Sequence, residues 1–67
     1  METMVDIRQL LKQYGSFIYT RDRELDLQLM RKEIKDLYQF GMITSDTYQA
    51  AMLLLRQEET KHRNGGL

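Results

Sequence analysis

The chain has no cysteine, no proline and no tryptophan, and its only histidine is His62. Without cysteine there is no disulfide framework, no thiolate metal site and no thiol nucleophile, and the absence fits a reducing compartment. A metal site needs several converging ligands; His62, alone near the C-terminus, reads as solvated, and no metal or cofactor is expected. Without proline, no helix is broken by a missing amide N–H. Charge of one sign is not in excess either: 10 Lys and Arg offset 10 Asp and Glu. That balance removes the basic surplus common among nucleic-acid binders but leaves room for a local patch. Long apolar runs are missing too. The longest, Ala50 to Leu55, is far short of a membrane span. The opening Met-Glu-Thr-Met-Val-Asp has no basic segment ahead of an apolar one, so no signal peptide is expected and a cytoplasmic location follows.

Glycine is scarce, and its four positions punctuate the chain. Gly15, Gly41, Gly65 and Gly66 each fall where a helical apolar repeat stops, as C-capping glycines do. They mark out three helices. The first starts at Thr3, with Asp6 favouring its positive end and Ile7, Leu10, Leu11 and Tyr14 on one face; Arg8 and Lys12 share a different, solvated face. The second runs from near Asp22 to Phe40, with a stripe of Leu27, Met30, Ile34, Leu37 and Tyr38. Gly41 and Met42 after it suit a Schellman cap. Thr44, or Ser45 one residue on, caps the third. Ile43 and Tyr48 are placed as a hydrophobic staple, and Tyr48, Ala51, Met52 and Leu55 form a stripe widened by Leu53 and Leu54. This helix is expected to dissolve in Lys61–Gly66. The expected architecture is all-α: one three-helix domain over residues 1–64 and a flexible tail over 65–67. A chain of 67 residues lies near the lower limit for folding without a metal or disulfide, burying only ~60% of the surface its unfolded form exposes.

Between the first two helices runs Tyr14-Gly15-Ser16-Phe17-Ile18-Tyr19-Thr20-Arg21, a connector rich in aromatic and β-branched residues where connectors are usually polar. In an extended segment Phe17 and Tyr19 point one way and Ile18 the other, so at least one set should be buried. The large area of an aromatic in a small core makes Phe17 the expected plug, while Tyr19 can keep its hydroxyl wet.

The run Leu10-Leu11-Lys12-Gln13-Tyr14-Gly15-Ser16-Phe17-Ile18-Tyr19-Thr20, then Arg23-Glu24-Leu25-Asp26-Leu27 and Glu33-Ile34-Lys35-Asp36-Leu37-Tyr38-Gln39, resembles the YqgQ-like family of small bacterial proteins over nearly the whole chain. The Tyr-Gly-x-Phe-Ile-Tyr-Thr connector is the specific part. The resemblance implies a compact three-helix cytoplasmic protein of Gram-positive bacteria with no established enzymatic activity, and single-stranded nucleic-acid binding has been suggested for the family. Where the family pattern has glycine after the threonine, this chain has Arg21, which adds a charge beside the connector.

Single-strand binding needs cations that follow phosphates and exposed aromatic faces on which bases stack. Phe17, Tyr19, Arg21 and Arg23 bring both within a short span, and Arg31, Lys32 and Lys35 could extend the track. Residues 21–35 also hold Asp22, Glu24, Asp26 and Glu33, four acids among five bases, an alternation usual for a solvated helix. The competing expectation is a protein-interaction module or homo-oligomer. Leu25, Leu29 and Phe40 lie off the main stripe of the second helix, and they exceed what a small core requires, as do Leu53 and Leu54. Enzymatic activity is not expected. The chain has no Ser/His/Asp constellation and no phosphate-binding glycine loop. The carboxylate pairs Glu33 with Asp36 and Glu58 with Glu59 read as solvated charges.

Overall fold

The structure, a computed structural model, describes residues 2–65. Three helices follow one another: α1 Met4–Gln13, α2 Arg23–Gln39 and α3 Ser45–Gly65. They form an all-α domain of 38 × 22 × 17 Å, with no strand among the described residues. The caps form where the local sequence calls for them. Thr3 is the N-cap of α1, and the Asp6 carboxylate reaches back to accept from the N–H groups of Thr3 and Glu2. Asp22 caps α2 through the N–H groups of Glu24 and Leu25. The Thr44 hydroxyl accepts from the Thr47 N–H at 3.2 Å and opens α3.

Both interior glycines take positive φ, 83° at Gly15 and 72° at Gly41, the left-handed conformation that ends a helix. The N–H of Ser16 donates to Leu11 O and that of Met42 to Leu37 O, the long bond of a Schellman cap in each case. At the other end of the chain, α3 continues through Lys61–Arg63 to Gly65 rather than dissolving. Its good helix formers continue without a breaker until that glycine. Of the expected tail, residues 66 and 67 lie outside the described part.

The fully buried core is small: Ile7 and Leu11 from α1, Leu27, Met30 and Ile34 from α2, Ala51 and Leu55 from α3. Each belongs to an expected stripe. Leu37, Ile43, Tyr48 and Leu54 pack around it, and so does Ile18 of the connector. Tyr38 and Tyr48 stack with ring centroids 4.3 Å apart. Tyr14 and Tyr38, placed on core faces by spacing, are more than a third exposed, and Leu53 is on the surface. Phe17 does not plug the core. It is 75% exposed, as is Tyr19, and Ile18 is the residue turned inward. An isoleucine fills the limited space beside α2, and the alternation of the connector then sends both rings out.

Candidate functional site

From Ser16 to Thr20 the connector is fastened at three points, which fixes the direction of its side chains. At one end the Ser16 hydroxyl donates to Glu33 of α2 at 3.2 Å. At the other, the Thr20 N–H and hydroxyl both donate to the Asp26 carboxylate, at 2.8 and 2.6 Å. Between them, an Arg8 guanidinium N–H of α1 donates to the Ile18 carbonyl at 3.3 Å. Asp26 is the one buried charged residue among those described. The Thr20 hydroxyl, its N–H and the positive charges of Arg8 and Arg23 hold the Asp26 carboxyl below its ordinary value, against the opposing effect of burial.

These attachments open a groove of about 270 Å³ between α1 and the connector, edged by Arg8, Lys12, Phe17 and Tyr19 and floored by Leu11, Ile18 and Met30. Two exposed aromatic rings and two cations therefore share one concave, largely apolar surface. The cations belong to the polar face of α1, which reads from sequence as merely solvated. Their signal is the four-residue spacing of Arg8 and Lys12, which puts both on the flank that receives the connector.

The other residues expected to form a nucleic-acid track separate. Arg23 pairs with Glu58 and Arg31 with Glu59, tying α2 to α3. Glu58 and Glu59 are thus ion-pair partners, not the solvated charges expected, and each pair contributes up to about 1 kcal/mol at this partial exposure. Lys32 and Lys35 are exposed. At about 100° per residue, Lys32 leaves α2 opposite the Leu27–Ile34 stripe and Lys35 lies on the Arg31 side, both away from the groove. A second groove, about 360 Å³ between α2 and α3, carries Arg31 and Arg63 against Glu24 and Glu59, with His62 at its edge. Its charges offset one another, so it has no preference for an anion. Of the alternative set, Phe40 is 78% and Leu25 41% exposed, and Leu29 is half-buried. No group of three or more His, Cys, Asp or Glu side chains among the described residues could hold a metal, and no described helix is long and apolar enough to cross a membrane.

The pattern of the YqgQ-like family matches residues 1–61. The chain belongs to the YqgQ-like family. It is 40% identical over 65 residues to the protein named "Uncharacterized protein YqgQ" of Bacillus subtilis (strain 168), covering 97% of this chain and 92% of the relative. Within this YqgQ-like chain, Arg21 takes the left-handed backbone conformation that favours glycine, with φ 69°. A side chain in the left-handed region is strained by roughly 1–2 kcal/mol. Arg21→Gly removes that strain but adds freedom to the unfolded chain; a net rise in Tm of a few degrees is expected, read by thermal melting. A fall in Tm would mean that the Arg21 side chain stabilises the fold by more than its backbone strain.

Proposed function

We propose that the protein is a non-enzymatic binder of single-stranded nucleic acid, weak and without strong sequence preference, acting through the groove between α1 and the connector. The observation that carries this reading is the exposure of Phe17 and Tyr19 over the same groove as Arg8 and Lys12. Exposing two aromatic rings in so small a domain gives up apolar burial that the fold could use. Bases offer a use for those faces, since every base can stack on an aromatic ring, at about 1–3 kcal/mol per base. Arg8 and Lys12 supply the phosphate contacts, and Arg21, exposed beyond Tyr19, does not line the groove. Arg23 and Arg31 are less suited, because a phosphate would compete with Glu58 and Glu59 for them.

The test is fluorescence anisotropy of a labelled mixed-sequence single strand at two salt concentrations, beside a duplex control. Binding should favour the single strand and fall with added salt. The Phe17→Ala/Tyr19→Ala double variant should stay folded, because both rings are exposed, and should lose about thirtyfold or more in affinity. Unchanged affinity in that variant would remove the stacking site. A second reading, a surface for a protein partner or another copy of the chain, is favoured by the exposure of Leu25 and Phe40 on the outer side of α2; it becomes the better one if no single strand binds at low salt.

A further inference from the structure

The groove between α1 and the connector is short, and carboxylates stand at both of its ends. Ser16, before Phe17, is bonded to the Glu33 carboxylate, and Thr20, after Tyr19, to that of Asp26. Arg21 beyond Thr20 lies outside the groove lining, and Asp22 and Glu24 follow it in the chain. A phosphate chain leaving the groove therefore meets the Glu33 carboxylate at one end and those of Asp22 and Glu24 at the other, the buried Asp26 charge being taken up by Thr20, Arg8 and Arg23. Arg23 and Arg31 do not carry the chain onward, being paired with Glu58 and Glu59. Inside the groove two spacings agree. Alternate residues of an extended segment, such as Phe17 and Tyr19, stand about 6.5–7 Å apart, close to twice the ~3.4 Å rise per stacked base. Arg8 and Lys12 are separated by about 6 Å along α1, so the cations repeat at nearly the same interval as the rings. The bond to the Ile18 carbonyl positions the Arg8 guanidinium beside the connector and leaves its other N–H groups for a phosphate.

We propose that the unit this groove recognises is a dinucleotide: two consecutive bases interleaved with Phe17 and Tyr19, and two phosphates on Arg8 and Lys12. The proposal rests on the nucleic-acid reading above and deepens it by setting the size of the ligand. A free dinucleotide and a two-nucleotide stretch of a longer strand present the same chemistry.

Labelled oligothymidylates from the dinucleotide to the decanucleotide, each carrying a 5′-phosphate, separate the possibilities by anisotropy. If the footprint is two nucleotides, affinity per binding register levels off at the shortest lengths. The logarithm of the binding constant then falls with the logarithm of salt at a slope that levels off at about −1.4 for the longer strands, two phosphates at about 0.7 each, and is shallower for the shortest, which hold fewer condensed counterions. Lys12→Ala reduces that slope by about 0.7. The unlabelled dinucleotide displaces the decanucleotide with an affinity within roughly tenfold of it, the gap expected from the number of registers alone because the contacts are the same. Affinity per register that keeps rising with length, a slope steeper than about −3, or failure of the dinucleotide to compete would overturn the proposal while leaving single-strand binding intact. Absence of binding at every length would overturn both.

Discussion

Ile34→Ala is expected to leave little folded protein at physiological temperature. Ile34 is 0% exposed, at the centre of the longest apolar stripe of α2 and in the cluster built from all three helices. Truncating such a residue removes its own transfer free energy and leaves a cavity that the surroundings fill only in part, together about 2–5 kcal/mol. A domain of 67 residues has a total stability of roughly 3–10 kcal/mol at about 0.05–0.15 kcal/mol per residue. The loss is therefore at least about a fifth of what holds the chain folded and, at the lower end of that stability, all of it. Among the described residues seven make up the buried cluster, so few neighbours can move in. Ile34→Val, which removes a single methylene, should cost about 0.5–1.5 kcal/mol and keep the native spectrum. Phe40→Ala, at the exposed C-cap of the same helix, should change stability by no more than about 0.5 kcal/mol. Urea unfolding followed by helical circular dichroism measures all three. Equal losses for Ile34→Ala and Phe40→Ala would contradict the placement of the core.

Asp26→Asn is expected to lower Tm by about 10 °C at neutral pH and to loosen the connector. The carboxylate accepts both the N–H and the hydroxyl of Thr20 and lies in the field of Arg8 and Arg23. Both bonds end on one oxygen, Oδ1, which the amide retains, but the amide loses the charge that strengthens those bonds and faces Arg8 and Arg23. The pH dependence has a definite sign. The Asp26 carboxyl titrates below its ordinary value of 3.8 in the folded protein. Its stabilisation is therefore fully present above that ordinary value and is lost as pH falls through the lower, folded one. Asp6, held low by the N–H groups of Glu2 and Thr3, acts in the same direction. The gap in Tm between the parent protein and Asp26→Asn should be widest above about pH 4–5 and close as the solution is made more acid. Thermal melts across that range decide the matter. A gap independent of pH would show that the loss comes from packing and not from the charge. Because Thr20 anchors the Tyr19 end of the groove, nucleic-acid affinity should also fall in the variant.

What the chain makes legible follows from the range of the interactions involved. Thr3, Asp22 and Thr44 start helices, and Gly15 and Gly41 end them, through bonds to residues within five positions; such contacts are written into a few neighbouring letters. The core stripes are legible for the same reason, since Ile7 with Leu11 and Leu27 with Met30 and Ile34 repeat at helical spacing. The connector shows where this stops. Alternation separates Phe17 and Tyr19 from Ile18 but does not say which set turns inward. That choice depends on Arg8, ten residues from Ile18, and on Glu33, seventeen residues from Ser16. Arg23 reads as a free cation until α3 brings Glu58, thirty-five residues away, beside it. Lys12 reads as solvated until the connector folds back along α1. The individual groups are visible in the sequence, whereas their neighbours are set by the packing of the helices.

The stacked tyrosines have an optical consequence. With no tryptophan, the near-ultraviolet absorption of the protein rests mainly on four tyrosines. Tyr38 and Tyr48 lie 4.3 Å apart and within 12° of parallel across the junction of α2 and α3. Transition dipoles held so close couple, so near-ultraviolet circular dichroism reports the docking of α3 on α2 separately from helix content, which is read in the far ultraviolet. Tyr19 stands apart from this pair, exposed at the groove, and its emission is open to quenching by a stacked base. The same residue type thus gives one signal for the closure of the helices and another for whatever enters beside the connector.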